Sequence, residues 1–179
     1  MAARLGLVSV VAVLALAAAG CGGGDDSSSA TTDWANSFCS AITTWTSSIQ
    51  SAAQSVQSNP TKEGVQTAVD DAKQATKTFT DDVKGLGAPD TDAGEQAQDA
   101  VNQLSSDVQA GIDQIEQSVQ NAEGPAAVLS TISAVSATLS TLSSQVSTTW
   151  NQLQQLDGGQ ELKDAFDNAD SCKELRSNS

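Results

Sequence analysis

The sequence contains no histidine and no tyrosine. It has only three tryptophans, three phenylalanines, three cysteines and three prolines among 179 residues. Without histidine, Ser-His-Asp and Cys-His nucleophile arrangements and an HExxH zinc site are excluded. The glycines gather near the N-terminus and in turns, with no P-loop lysine beside them, so neither an ATPase nor a dinucleotide enzyme is supported. With aromatics at 3%, the apolar fraction of 39% falls to Ala, Val, Leu and Ile. Such a core suits closely packed helices better than a β-sandwich, which draws on aromatic and β-branched strands. Basic residues are scarce as well: 8 against 22 acidic, a net charge of −14. A chain this acidic repels nucleic acid and anionic lipid headgroups, and its charge serves solubility. The expectation is a protein that is not an enzyme and has no cofactor, no metal site and no nucleic-acid partner.

What is present starts with a targeting segment. Arg4 is the only charge in the first 20 residues, and an apolar run from Leu5 to Ala19 follows it. About 15 apolar residues is the length of a signal-peptide core and short for a membrane span. The run ends in Ala18-Ala19-Gly20-Cys21. This tetrapeptide resembles the lipobox of bacterial lipoproteins, although Ala18 stands where leucine is commonest. The resemblance implies cleavage before Cys21, diacylation of its sulfur (palmitate or a similar chain), and an extracytoplasmic protein held to the cell membrane by an N-terminal lipid. Loss of residues 1–20 would remove Arg4 and take the net charge to −15. The stretch 21–33, GGGDDSSSATTD after the cysteine, reads as a flexible polar tether with a reach of about 20 Å. The remainder is similar in style to small Ser/Thr/Ala-rich lipoproteins of actinobacteria, with Trp34-x-x-x-Phe38-Cys39 near its start and a lone Cys172 near its end. That likeness implies no activity.

Residues 34–175 read as one helical domain. Four stretches repeat apolar residues in alternating steps of three and four, the seam of a packed helix. They run from Trp34 to Val56, Val65 to Leu86, Ala97 to Ala122 and Val128 to Leu156. Thr76 holds the one seam position in the second stretch that is not apolar. Asn59-Pro60 predicts a helix start, Asp92 with Glu95 a capping box, and Glu123-Gly124-Pro125 a tight turn. A shorter segment after Gly159 places Leu162, Ala165, Phe166, Ala169 and Cys172 on one side. Short connections make sequential helices antiparallel. The expected fold is therefore all-α, an up-down-up-down four-helix bundle with a short C-terminal helix packed across one end.

Cys39 and Cys172 form an even pair, which in an exported chain reads as a disulfide; two free thiols are the alternative. In an up-down bundle the fourth helix ends where the first begins, so the terminal segment starts beside Cys39.

Other constellations are weaker. The doublets Asp70-Asp71 and Asp81-Asp82 splay about 100° apart on a helix and do not converge on an ion. Asp90-Thr-Asp92 has the opening spacing of a calcium loop but lacks its later ligands. Trp34, Phe38, Trp45 and Trp150 lie toward one end and either line a small apolar pocket or form the best-packed layer of the core. Residues 126–150 carry no charge; 12 of the 25 are apolar and 12 are Ser or Thr, too polar for a membrane helix. Two readings follow from different classes. The first is a lipid-anchored, non-catalytic binding or structural protein of the cell envelope, with a protein partner or a second copy. The alternative is a module that holds a small apolar or lipid-like ligand between helices.

Overall fold

The structure, a computed structural model, describes residues 25–177. The signal-like run, Cys21 and the first residues of the expected tether lie outside the described residues. Among those described, all regular structure is helical, and six helices pack against one another: α1 (Asp25–Ser58), α2 (Lys62–Leu86), α3 (Gly94–Gln120), α4 (Gly124–Leu153), α5 (Gln160–Asn168) and α6 (Asp170–Ser177). Helix α1 packs on α2, α2 on α3 and α3 on α4, while α5 and α6 return to α1.

The seams of α1 and α3 are buried along their whole length, from Trp34 to Val56 and from Ala97 to Ala122. On α2 the seam is buried from Val65 to Val83, with Thr76 wholly enclosed. Helix α4 is different. Val128, Leu142 and Leu153 are buried, whereas Ile132, Val135, Leu139, Val146 and Trp150 are half-buried. At Gly111 on α3 the absent side chain matters: a Cβ there would stand 2.7 Å from a methyl of Leu142, so glycine lets α4 approach at that level. Toward the Val56 end, Ile49 and Val56 of α1, Val65 of α2, Ile115 of α3 and Ile132 and Leu139 of α4 face a crevice of about 30 Å³ with an apolar lining.

Several boundaries differ from the sequence reading. Asp25–Asp33, expected as tether, is the start of α1. Thr31 is buried there, and Thr32 Oγ1 donates to Ser28 O at 2.9 Å. A polar run can extend a helix whose later turns are already packed. Helix α2 starts two residues later than Asn59-Pro60 suggested. Thr61 is its cap, accepting a hydrogen bond from Gly64 N at 3.1 Å, while Asn59 Oδ1 accepts from the Thr61 hydroxyl. The Asp92–Glu95 capping box does not form. Ala93 precedes α3 with no side-chain cap, because Pro89 to Gly94 is wound into turns in which Thr91 N donates to Pro89 O and Gly94 N to Thr91 O. The end of α2 turns at Gly87, whose φ of +66° favours glycine. The terminal segment is two helices rather than one, broken at Ala169, where the backbone is extended (φ −65°, ψ 125°). Its apolar side, from Leu162 to Cys172, is buried.

Candidate functional site

The features with most chemistry meet where α1 begins. Cys39 and Cys172 are joined by a disulfide with Cα atoms 5.1 Å apart, and both are fully buried. Beside it, Asn36 Oδ1 accepts a hydrogen bond from Ser171 N at 2.9 Å, a second link between α1 and α6. Phe166 of α5 is the hub of the aromatic layer. Its ring centroid lies 4.7 Å from that of Trp150, 6.1 Å from Trp34 and 6.3 Å from Phe38. Trp34 and Phe38 stack at 5.5 Å, and Trp34 Nε1 donates to Gly87 O at 3.0 Å, tying α1 to the end of α2.

Trp45 stands apart from these. It packs on Phe79 at 5.5 Å and donates from Nε1 to Thr76 Oγ1 at 3.0 Å. The polar seam position is thus the acceptor for a buried indole. The four residues read as one pocket lining are therefore divided: Trp34 and Phe38 are closed into the core, Trp45 edges a shallow groove between α1 and α2, and Trp150 edges a notch beside Leu175. Thr76→Val leaves the Trp45 N–H buried without an acceptor and is expected to cost about 1–3 kcal/mol in denaturant unfolding. Thr76→Ser should recover most of that; equal losses in both variants would place the effect in packing instead.

Charge lies outside this core. Lys73 of α2 pairs with Glu116 of α3 at 2.7 Å, and the hydrogen bond to that carboxylate holds the Lys73 ammonium above its ordinary pKa. Asp167 accepts from Lys163 at 2.8 Å and from Arg176 at 3.0 Å. The Lys163 bond, more than the Arg176 one, keeps the Asp167 carboxyl below the usual carboxylate range, and Lys163 is raised in return. These are surface pairs, worth little to stability. The aspartates of both α2 doublets are exposed, as are Asp90 and Asp92 before α3. Among the described residues no group of three His, Cys, Asp or Glu side chains stands close enough to hold a metal ion.

No protein-family model matches the chain, and neither a curated protein nor a solved structure matches it. Function therefore has to be argued from the chain's own chemistry.

Proposed function

We propose that this is an exported, lipid-anchored protein of the bacterial cell envelope, a non-catalytic helical bundle tethered through Cys21 to the outer side of the cell membrane. The reading rests above all on Ala18-Ala19-Gly20-Cys21 at the end of the apolar run. The Cys39–Cys172 disulfide supports it, since such bonds persist in oxidising compartments and are rare in the cytosol. Because α1 begins at Asp25, the tether would shrink to the few residues between Cys21 and that helix, which holds the folded part close to the membrane. The four long helices run alternately up and down, with α5 and α6 laid across the end where α1 starts. Connections of three to seven residues favour that arrangement, as does the pairing of Gly111 with Leu142 and of Ser118 O with Thr131 Oγ1, in which later residues of α4 meet earlier residues of α3.

Cys21→Ser should move the protein from the detergent phase to the aqueous phase in phase partitioning and remove acyl mass. Unchanged partitioning would overturn lipid attachment.

The apolar-ligand reading finds its best location away from the tryptophans, in the crevice between α4 and the other long helices. At about 30 Å³ that space is the size of one water, so a ligand there requires α4 to move outward. The structural role is preferred for that reason. A co-purifying apolar molecule in a native mass spectrum would reverse the preference.

A further inference from the structure

Between α1 and α2 runs an open groove of about 510 Å³, whose walls among the described residues come from these two helices. The helices are antiparallel there. Trp45 of α1 bonds to Thr76 of α2 and Trp34 to Gly87, so earlier residues of α1 meet later residues of α2. On the α2 wall, Asp71, Gln74, Ala75, Thr78 and Asp82 follow steps of three and four, which is one face of the helix. One member of each aspartate doublet thus borders the groove, although neither doublet converges on a point. Asp71 and Asp82 stand eleven residues apart, about 16 Å along the helix axis and about 20° around it.

Both carboxylates are exposed, and the lysines nearest them in sequence are taken by other partners: Lys73 pairs with Glu116 and Lys77 with Asp81. The opposite wall adds no charge, because residues 34–61 have none. The groove therefore carries two negative charges and no positive one. Its hydroxyls are biased toward accepting as well. Ser48 Oγ and Ser51 Oγ donate their protons to Thr44 O and Ser47 O, both at 2.9 Å, which leaves those oxygens only lone pairs to offer. The floor between the two carboxylates is apolar, made by Ala75 and the Trp45–Phe79 pair.

A linear polyamine has the complementary order. Its ammonium groups only donate, and runs of methylene separate them. At about 1.25 Å per bond, the thirteen bonds between the terminal nitrogens of spermine span roughly 16 Å. Its inner nitrogens stand about 5 Å in from each end. That is the level of Gln74, about 4.5 Å from Asp71, and of Thr78, about 6 Å from Asp82. We propose that the α1/α2 groove binds a linear polyamine of this length. The terminal ammoniums meet Asp71 and Asp82, the inner ones meet the Gln74 and Thr78 oxygens, and the methylenes lie over the apolar floor. A single exposed ion pair is worth little, but two made by one ligand reinforce each other, since the first holds the second ammonium close. An acidic chain draws polycations to its whole surface, so the site is distinguished by position and length rather than by charge. It does not depend on the lipid at Cys21.

The test is calorimetric titration of the full-length protein, in nonionic detergent, with spermine at about 0.15 M salt, where distant charges are screened. One saturable site per chain is expected. Asp71→Asn and Asp82→Asn should each weaken it about tenfold. Asp70→Asn combined with Asp99→Asn, which removes two carboxylates outside the groove, should change it less than about twofold. Length is read by moving one carboxylate inward. Thr78→Asp together with Asp82→Asn shortens the span to about 10 Å. Preference should then shift at least about fivefold toward spermidine, whose ends are roughly 11 Å apart. Absence of saturable binding below about 1 mM spermine would overturn the site. So would groove variants that bind like the unaltered chain, or an equal loss in the Asp70, Asp99 variant, which would assign the attraction to the general field. An unchanged preference between the two polyamines would overturn the spanning geometry.

Discussion

Replacing Phe166 by alanine is expected to lower the unfolding free energy by about 3–5 kcal/mol, the largest loss from any single substitution proposed for this chain. The ring is fully buried and touches Trp34, Phe38 and Trp150. In a core otherwise made mostly of aliphatic side chains, those contacts join α1, α4 and α5 at one point. Truncation leaves a cavity bounded by three aromatic rings and two helix backbones, which cannot all close inward. For a folded region of about 150 residues the loss corresponds to roughly 10–15 °C in melting temperature. Phe166→Leu fills part of the space and should cost less than half as much. Thermal unfolding followed by circular dichroism at 222 nm measures both. A shift below about 3 °C for the alanine variant would mean that α5 is not packed on the aromatic layer.

Removing the disulfide in a Cys39→Ala, Cys172→Ala double variant should cost less than the chain-entropy value but remain large. A bond that closes 133 residues limits the unfolded chain by roughly 5 kcal/mol in that model, and measured losses run about 2–5 kcal/mol. The protein should still fold, because the seams of α1, α2 and α3 are buried independently of the bond. The damage should be local first. Helix α6 has eight residues, too few to persist alone, and Cys172 is its only wholly buried side chain. Hydrogen exchange should therefore show residues 170–177 losing protection while the middle of α2 and α3 keeps it. Uniform loss across all helices would instead make the bond a global constraint on the unfolded state.

Much of this architecture can be read from spacing alone. Alternating three- and four-residue steps located the buried faces of α1, α2 and α3 residue by residue, because each of those helices has neighbours on its apolar side. At α4 the same spacing finds the side that rests on the core, from Val128 to Leu156, but it does not show that six of those nine residues are only half covered. The expectation for Thr76 was incomplete in an instructive way. A lone threonine on a seam opposite a tryptophan-bearing helix is the signal for a buried N–H acceptor, which is the role it fills toward Trp45.

Local rules failed where tertiary contacts outweighed them. Asp92 and Glu95 have the spacing of a capping box, but the turn from Pro89 takes the backbone elsewhere. The run Asp25–Asp33 has no apolar stripe to announce a helix, and α1 reaches back through it all the same. The aromatic residues were grouped by their position along the bundle. Trp45 nevertheless belongs to a different layer from Trp34, Phe38 and Trp150, because two helical turns separate Trp45 from Phe38. Phe166, the residue that organises that layer, was visible in the sequence only as one member of a short amphipathic segment.

The intact mass of the protein purified from membranes of its own host tests the proposed function most directly. The account predicts a chain that begins at Cys21, carries the added mass of two or three long acyl chains, and is two hydrogens lighter than the reduced form. A chain that retains Met1, or one that starts elsewhere without acyl mass, would contradict it.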